Sequence, residues 1–421
     1  MKISIIGSGY VGLVTGIGFA ELGHEVTFVD LDERKIEAIN SGKPPIFEKG
    51  LEELMEKNAG KHKATKNYES IKETDITFIC VGTPSKEDGS IDLTFVRSAA
   101  SETGRVLKEK NKFHVVVVKS TVVPGTTEGV VKPIIERESC KEAFIDFGLA
   151  VNPEFLREGN AVEDFFNPDR IVIGVRDEKT REILEELYSP FNCPKLITDI
   201  KTAEMIKYAN NAFLATKISF ANEIGNICKK LGIDVYEVFK GVGLDHRINP
   251  AFFRAGIGFG GSCLPKDVRA LIAKAGELGE EPKILKAVIE VNERQPLRMI
   301  ELLKKHISSL EGKTIGILGL AFKPDTDDVR ESRAIPIVEK LLEEKAKVIA
   351  YDPKAIDNFS KIFPHIEYAK SGQEVVDRSD ALLIVTEWKE FWELNYRGKI
   401  VVDGRRIDKA REALVYEGVC W

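Results

Sequence analysis

Short apolar runs alternate with helix-like stretches along the first third of the chain. The first run, residues 3–6, leads into a glycine-rich turn, after which apolar residues recur at helical spacing. Further apolar runs cover residues 26–29, 75–81 and 115–118, and the first of these is followed by Asp30. Because buried strands alternate with helices, the pattern predicts an α/β fold with a doubly wound parallel sheet.

The pattern changes in the middle of the chain. Thr202 to about Leu231 predicts one long helix, and helical character persists, around a glycine-rich loop, to about Ile307. A second α/β unit follows, in which residues 314–319 and 347–352 repeat the first strand and turn and the strand that ends in aspartate. We therefore predict two Rossmann-like domains joined by a helical central domain. The expected domains are residues 1–198, 199–308 and 309–421.

Composition narrows the possible partners. Of the 421 residues, 61 are Lys or Arg and 67 are Asp or Glu, so the net charge is −6 and the basic excess that binds nucleic acid or anionic membranes is missing. Residues 3–20 carry no charge, but their five glycines make a poor membrane-spanning helix or signal segment. We expect a cytoplasmic protein without a membrane or nucleic-acid partner.

Gly7, Gly9 and Gly12 lie between a predicted strand and a predicted helix. Small residues there let a pyrophosphate approach the backbone N–H groups at the helix N-terminus. Asp30 ends the next strand, where its carboxylate can accept hydrogen bonds from both hydroxyls of a ribose and would repel a 2′-phosphate. The pattern favours NAD over NADP, and a tight turn without a ligand is the alternative.

The six cysteines are scattered without a Cys-x-x-Cys pair, which argues against a zinc site or a disulfide framework. We expect most of them to be reduced and buried. Cys263 differs, because residues 258–267 are too rich in glycine and proline for a strand or a helix interior. A thiol exposed there, with Lys266 and Asp267 nearby to lower its pKa or to move protons, can attack an aldehyde carbon. An inert small hydrophobic residue is the alternative.

Lys207 and Asn211 stand four positions apart on the predicted long helix, so they share one face. A cation and an amide donor there can stabilise an alkoxide or oxyanion, although a lysine that merely extends to solvent fits the spacing too. Glu154 and Glu158 follow the later strands of the first domain and are candidates for acid–base chemistry or solvated loop residues. In the second α/β unit, cationic side chains suited to phosphates belong to Lys323, Arg330 and Arg405.

Taken in order, these motifs resemble the UDP-glucose/GDP-mannose dehydrogenase family over essentially the whole chain. The glycine motif with Asp30, the pair of Lys207 and Asn211, and the Cys263 loop all match that family. Further matching segments are Val81-Gly82-Thr83-Pro84, Lys119-Ser120-Thr121-Val122-Val123-Pro124-Gly125-Thr126, Asn152-Pro153-Glu154-Phe155-Leu156-Arg157-Glu158 and Asp325-Thr326-Asp327-Asp328-Val329-Arg330-Glu331-Ser332.

The resemblance implies an NAD-dependent, twofold oxidation of a nucleotide sugar at C6. Cys263 would trap the aldehyde as a thiohemiacetal and carry a thioester, from which water releases the carboxylate. Lys207 and Asn211 would stabilise the oxyanions. The residues implied to handle water and protons are Glu154, Thr121 and Asp267. The chemistry agrees with this division, because a thiol is needed only if the aldehyde must be held for a second oxidation.

The resemblance also implies ligand contacts. Those with the cofactor are Gly7, Gly9, Tyr10, Val11, Gly12, Asp30, Lys35, Thr83, Thr121, Glu158 and Arg330. Those with the nucleotide sugar are Glu154, Phe155, Leu156, Lys207, Asn211, Arg254, Phe259, Gly260, Cys263, Phe322, Lys323 and Arg405. Arg247 matches a substrate-binding position that reaches into a neighbouring subunit's site, so a homodimer or higher homo-oligomer with the middle helices as its interface is expected.

Different segments of the chain resemble family members with different substrates. Leu264 after the cysteine is similar to GDP-mannose enzymes, since many UDP-glucose members carry Phe there, whereas residues 244–247 and 252–254 are similar to the UDP-glucose branch. Ser262 counts against the N-acetylmannosamine branch, which usually has His. We expect oxidation of UDP-glucose to UDP-glucuronate, with GDP-mannose as the alternative. A single-oxidation hydroxyacid dehydrogenase with a structural Cys263 and a nucleotide-sugar sensor without turnover are further alternatives.

Overall fold

The computed structural model describes every residue from Met1 to Trp421. Two compact units make up the chain, Met1–Ala209 and Asn210–Trp421. The boundary between them falls inside one long helix, α8 (Ile200–Leu231). This helix confirms the long helix that the sequence predicts from Thr202.

The first unit contains an eight-stranded sheet with the order β3-β2-β1-β4-β5-β6-β7-β8. All neighbouring strands are parallel except β6 and β7. The central strands are buried on both faces, which agrees with their unbroken apolar sequences. The strands are β1 (Lys2–Ile6), β2 (Glu25–Val29), β3 (His62–Thr65), β4 (Ile76–Ile79), β5 (Val115–Val118), β6 (Gly148–Val151), β7 (Ile171–Val175) and β8 (Lys195–Thr198).

Helix α1 (Tyr10–Glu21) differs from its expected amphipathic pattern. Its residues 12–20 are all buried, so the helix is enclosed on every side. Glycines allow this close packing, since a Cβ at Gly18 would lie 2.2 Å from the ring of Phe165. The other helices of the unit are α2 (Glu33–Asn40), α3 (Leu51–Lys57), α4 (Thr94–Lys108), α5 (Lys132–Ser139), α6 (Ala161–Phe166) and α7 (Glu178–Leu187).

The second unit contains a six-stranded, fully parallel sheet with the order β11-β10-β9-β12-β13-β14. The strands are β9 (Thr314–Leu318), β10 (Lys347–Tyr351), β11 (Glu367–Tyr368), β12 (Ala381–Ile384), β13 (Ile400–Asp403) and β14 (Val415–Gly418). Its strand order repeats that of the first six strands of the first sheet, which confirms two Rossmann-like folds.

Helices precede and flank the second sheet. They are α9 (Val235–Gly243), α10 (Leu264–Glu277), α11 (Lys283–Arg294), α12 (Arg298–Leu303), α13 (Ala334–Glu343), α14 (Ile356–Phe359) and α15 (Gly372–Arg378). One apolar core joins part of these helices to the sheet, through residues such as Phe239, Met299 and Ile317. The helical middle region predicted from the sequence is therefore confirmed. None of the protein's helices combines the length and the apolar character needed to cross a bilayer.

All six cysteines are free, but the expectation that most are buried is wrong. Cys140 is exposed because it ends α5 in a left-handed turn, and Cys263 is exposed because it lies in the loop just before α10. Cys193 is half-buried. The buried cysteines are Cys80, Cys228 and Cys420.

Candidate active site

The turn between β1 and α1 brings backbone close to backbone. Gly7 has a φ of +93°, and a Cβ at Gly12 would lie 1.9 Å from the carbonyl oxygen of Gly7, so only glycine fits at Gly12. Gly9 is the N-cap residue, and Tyr10 and Val11 open the helix. The first N–H groups of a helix have no partner within the helix, and together they attract phosphate oxygens. The turn can therefore hold a pyrophosphate.

Asp30 follows β2 at the same edge of the sheet. Its Oδ2 accepts hydrogen bonds from the N–H of Ser8 at 2.7 Å and the hydroxyl of Ser8 at 2.5 Å, and its Oδ1 accepts from the N–H of Asp32 at 3.0 Å. Burial alone would raise the pKa of Asp30, but these donors, with Lys35 Nζ at 3.9 Å, hold that pKa below its ordinary value. An ionised acceptor at this place fits the ribose hydroxyls of NAD and repels a 2′-phosphate.

The loops that follow β4 and β5 lie at the same end of the sheet as the glycine turn and contact each other. The hydroxyl of Thr83 donates a hydrogen bond to the carbonyl oxygen of Thr121 at 2.9 Å. Both are among the residues predicted to contact the cofactor, and the structure brings them together. Glu158, also predicted there, is half-buried in the segment that leads to α6.

Glu154 and Lys207 form a buried ion pair in the first unit. Lys207 Nζ donates to Glu154 Oε1 at 2.9 Å, and the N–H of Leu156 donates to Oε2 at 2.7 Å. Burial would raise the pKa of Glu154, yet Lys207 and the other donors lower it. The ring of Phe155 lies 3.9 Å below the Arg170 guanidinium and 5.4 Å from Lys207 Nζ. Glu154 is therefore an enclosed, ionised group, and the alternative of a solvated loop carboxylate is wrong for it.

Two more polar side chains lie buried at these strand ends, and the sequence analysis gave them no role. Lys119, directly after β5, donates from Nζ to Oδ1 of Asn152, directly after β6, at 2.7 Å. Both belong to segments that carry the family resemblance. The sequence did contain a signal for Lys119, because this lysine directly follows four consecutive valines of a buried strand. A charged side chain at such a buried place needs polar partners in the fold.

In the second unit, the predicted catalytic residues form a second network. Asn211 Nδ2 donates to Asp267 Oδ2 at 2.7 Å, and Lys266 Nζ donates to Asp267 Oδ1 at 2.7 Å. Asp267 is buried in the first turn of α10, and its N–H donates to the carbonyl oxygen of Cys263 at 2.9 Å. Cys263 itself is exposed, as the N-cap residue of that helix. The structure thus brings together an accessible thiol and a fixed carboxylate.

Buried amides hold the loop in front of Cys263. Asn292 accepts from the N–H of Phe259 at 2.7 Å and donates to its carbonyl oxygen at 3.0 Å. Asn222 accepts from the N–H of Gly256 at 2.8 Å, and Gln295 donates to the carbonyl oxygen of Gly256 at 2.7 Å. The sequence analysis missed these three amides. The only sequence feature that could have indicated them is the presence of polar residues among apolar ones on these helices.

The same loop lies against the segment between β9 and α13. The N–H of Gly261 donates to the carbonyl oxygen of Arg330 at 3.0 Å, and a Cβ at Gly260 would lie 3.2 Å from the Cβ of Phe322. Arg330 is held by Asp328, with Nε–Oδ1 and Nη2–Oδ2 distances of 2.9 and 2.6 Å. The structure therefore brings Gly260, Phe322 and Arg330, all predicted binding residues, to the Cys263 loop. Lys323 Nζ lies 5.6 Å from the ring centroid of Phe322.

A pocket of about 240 Å³ opens where β12 and β13 end in the second sheet. Arg254 and Arg405, both predicted to contact the nucleotide sugar, line it together with Glu387 and Trp392. Glu387 lies 3.7 Å from Arg254 and 3.4 Å from Arg405, and Arg405 Nε also donates to the carbonyl oxygen of Val385 at 2.7 Å. Oriented guanidinium groups in a concave site suit a diphosphate. Trp392 was not foreseen, since it belongs to no motif.

Arg247 lies on the exposed segment between α9 and α10. Its guanidinium is held by Asp245 at 2.6 Å, and its side chain is 77% exposed. Leu244 and Phe252 on the same segment are exposed as well. No group of three or more His, Cys, Asp or Glu side chains is arranged to hold a metal ion.

Comparison with known proteins identifies the family of the chain. The NAD binding domain of one enzyme family matches residues 1–192, its central domain matches residues 201–294 and its UDP binding domain matches residues 316–410. The chain belongs to the UDP-glucose/GDP-mannose dehydrogenase family. The cofactor of this family member is NAD, which fits the glycine turn and the ionised Asp30 described above.

Relatives of the family are similar along their whole length. UDP-glucose 6-dehydrogenase AglM of Haloferax volcanii is 49% identical and covers 100% of both chains. GDP-mannose 6-dehydrogenase of Pseudomonas syringae is 40% identical, again over 100% of both chains. The structure of a UDP-glucose dehydrogenase from Pyrobaculum islandicum superposes with a TM-score of 0.97 at 47% identity, covering 100% of this chain and 98% of that one.

Proposed function

We propose that this dehydrogenase oxidises UDP-glucose at C6 to UDP-glucuronate in a four-electron reaction. The observation that carries the proposal is the exposed Cys263 thiol beside the buried carboxylate of Asp267, which Asn211 and Lys266 hold by both oxygens. A dehydrogenase that releases its first product needs no such thiol. The higher identity to the relative named for UDP-glucose than to the one named for GDP-mannose supports the choice of sugar.

NAD, when bound at the glycine turn, supplies the hydride acceptor for each of the two oxidations. Lys207 and Asn211 stabilise negative charge on the C6 oxygen while the alcohol loses its proton and hydride. The Cys263 thiolate then forms a C–S bond to the aldehyde carbon, which gives a thiohemiacetal oxyanion. Loss of the second hydride leaves a thioester, and water adds to its carbonyl carbon and expels the thiolate. The net reaction consumes one water and two NAD⁺ and releases the carboxylate, two NADH and three protons.

The buried groups have separate tasks in this sequence. Asp267 holds the Asn211 amide in place and can take a proton from the attacking water or return one to it. Glu154, ionised beside Lys207, orients water through its carboxylate oxygens, and Thr121 belongs to the loop that flanks the cofactor. Such electrostatic stabilisation by fixed groups acts at the moment when charge develops on oxygen.

We also propose three functional regions, residues 1–198 for NAD, 199–308 for the catalytic helices and 309–421 for the UDP-sugar. The extents of the three matched family domains support this division. The pocket that Arg254 and Arg405 line supports a nucleotide diphosphate site in the last region.

The test is the yield of NADH per sugar, with limiting UDP-glucose and limiting GDP-mannose in parallel reactions. Two NADH per UDP-glucose, with UDP-glucuronate as the product, is the expected result. Two NADH from GDP-mannose alone would assign the alternative sugar. One NADH per sugar would favour a single-oxidation dehydrogenase with a structural Cys263, and tight binding of UDP-glucose without NADH would favour a sensor.

A homodimer in which Arg247 enters the neighbouring site is part of the proposal. The exposed Arg247 and its exposed apolar neighbours on the same segment support it. Cys263→Ser and Arg247→Ala subunits are each expected to be inactive, and mixing them should restore one complete site per mixed dimer. Activity that does not return after subunits exchange would contradict a shared site.

A further inference from the structure

Besides Lys207, two lysines are buried in the first unit, at opposite ends of β5. Lys119 follows the carboxyl end of β5, where the cofactor and the substrate meet in the proposed function, and Lys110 precedes the amino end of β5. Lys110 donates to the carbonyl oxygens of Ile71 and Thr74, which lie before β4. The mechanism derived above uses neither lysine.

The partners of Lys119 are neutral. Its Nζ donates to Asn152 Oδ1 at 2.7 Å, and the hydroxyl of Tyr188 donates to the same oxygen at 2.6 Å. Asn152 Nδ2 donates in turn to the carbonyl oxygen of Val172 at 2.8 Å. Lys119 therefore ties the end of β5 to the end of β6. Thr121 and Glu154 follow these anchor points by two residues each.

The titratable groups that interact with Lys119 come from three elements. They are Glu154 after β6, Lys207 on α8 and the thiol of Cys80 after β4. Burial lowers the pKa of Lys119 to about 8, so the ammonium form predominates at neutral pH. Burial also raises the pKa of Cys80 to about 12, which keeps that thiol uncharged. Lys207 is paired with Glu154 at 2.9 Å, whereas the hydrogen-bond partner of Lys119 is a neutral amide.

A buried cation whose hydrogen-bond partner is neutral has a clear use in this reaction. An alkoxide, a thiohemiacetal oxyanion and a tetrahedral oxyanion each add one negative charge at C6 as the reaction proceeds. A nearby cation that forms no ion pair with a carboxylate stabilises that negative charge more strongly in a buried site than in water. Lys207 is the main group that lowers the pKa of Glu154, and the charge of Lys119 acts in the same direction.

We propose that Lys119 is a positioning residue of this enzyme, which fixes the ends of β5 and β6 through Asn152 and supplies a second buried positive charge that favours the ionised form of Glu154 and oxyanions at C6. This inference rests on the proposed function for its kinetic part. Its electrostatic part concerns the protein alone and is tested without substrate.

The variants separate charge from structure. Lys119→Met removes the charge from a buried place, and the Asn152 oxygen still accepts from Tyr188, so the fold should persist. Lys119→Gln keeps a donor toward Asn152 without the charge, which covers the case in which the methionine variant does not fold. Lys119→Arg keeps the charge. Lys110→Met is the matched control, because burial lowers the pKa of Lys110 to about 8 as well, at the other end of the strand.

The first measurement is an NMR titration of the ligand-free protein labelled with ¹³C at glutamate carboxyls, with Glu154→Gln used to assign the signal. We expect the pKa of Glu154 to rise by about 1 pH unit in Lys119→Met and Lys119→Gln. It should stay at the wild-type value in Lys110→Met and close to it in Lys119→Arg. An unchanged Glu154 titration in both uncharged variants would overturn the proposal, whatever the enzyme's substrate is.

The second measurement is the pH profile of kcat with NAD⁺ and UDP-glucose. In the uncharged variants kcat should fall about tenfold, the rate equivalent of a one-unit pKa change, while both KM values stay within about twofold. The acidic limb of the profile should move to higher pH. A lower kcat with an unmoved pH profile would mean that Lys119 has only a structural role. A wild-type protein without activity would refute the proposed function, and the NMR titration would still test the effect of the Lys119 charge on Glu154.

Discussion

The second sheet repeats the order of the first six strands of the first sheet, but the loops after the corresponding strands β1 and β9 differ. After β1, residues 7–9 lead at once into α1, so the helix N-terminus faces the loop. After β9, residues 319–333 intervene before α13 begins. The first loop can therefore surround a pyrophosphate with N–H groups, and the second loop has no helix start at that place.

The aspartates that end β2 and β10 differ in the same way. Asp30 is half-buried and accepts from one serine and one backbone N–H of its own loop. Asp352 is buried and accepts from the N–H groups of Leu320 and Ala321 and from Trp388 Nε1 through one oxygen, and from two further backbone N–H groups through the other. Both oxygens of Asp352 are therefore occupied by donors of the protein itself. The second sheet instead carries a pocket lined by Arg254 and Arg405, so the same strand order is used differently in the two units.

The largest effect should come from the thiol that this second unit presents. Cys263→Ser should bind UDP-glucose and NAD but lower the rate of UDP-glucuronate formation at least about 1000-fold, because a hydroxyl is a far weaker nucleophile than a thiolate at neutral pH. The measurement is product formation by chromatography together with NADH release. Cys140→Ser is the control, since Cys140 is the other exposed cysteine and lies outside the site. Full uronate production by the Cys263 variant would remove the thiol from the mechanism.

Asp267→Asn should have the next largest effect. The amide cannot accept from Asn211 and Lys266 as two carboxylate oxygens do, and it cannot take up a proton from water. A loss of acid–base assistance of this kind lowers kcat about 100-fold, with little change in the KM for UDP-glucose. Single-turnover kinetics should locate the loss after the first hydride transfer. An equal loss in both oxidation steps would instead indicate that Asp267 acts only by positioning Asn211.

The chemistry proposed for these residues comes from motifs, and the predicted fold comes from apolar runs. Strands of four or five apolar residues and glycines at fixed positions are local signals, so the central strands of both sheets, the long helix and the NAD turn follow from the sequence alone. The amides Asn222, Asn292 and Gln295 were missed, because their value depends on which backbone groups the fold leaves buried beside them. Burial of Glu154 was missed for the same reason, since its partner Lys207 lies far away in sequence.

A paired substitution tests the comparison of the two aspartates directly. Asp30→Ala should raise the KM for NAD about 10- to 100-fold, the loss expected for hydrogen bonds to a charged group, and should reduce discrimination against NADP. Asp352→Ala should leave the KM for NAD unchanged and instead lower the free energy of unfolding by about 3 kcal/mol, because buried donors lose their acceptor. Steady-state kinetics and urea unfolding provide the two readouts. An altered cofactor KM in the Asp352 variant would break the distinction between the two sheets.

The smallest effect is a difference in how the two units respond to acid. In the first unit burial lowers the pKa of His114 to about 3, so between pH 6.5 and 3 the unfolded chain binds a proton that the native chain does not. Stability therefore falls as the pH falls, by about 2 kcal/mol between pH 7 and pH 5. In the second unit burial raises the pKa of Asp403 to about 6, so there the native chain binds the extra proton. That unit should gain about 1 kcal/mol over the same interval.

Hydrogen exchange resolves the two units separately and can measure this opposite response. At pH 5, after correction for intrinsic exchange rates, amides of β4 and β5 should exchange faster relative to pH 7, while those of β12 and β13 should be as well protected or better. His114→Gln should weaken the acid response of the first unit, because the glutamine does not titrate and can still contact Thr77, whose hydroxyl lies 2.7 Å from His114 Nε2. A smaller response should remain, since burial also lowers the pKa values of His24 and His62 in that unit. If both units lost protection equally in the wild type, acid would act on the chain as a whole, and the two sheets would differ in ligand chemistry but not in stability.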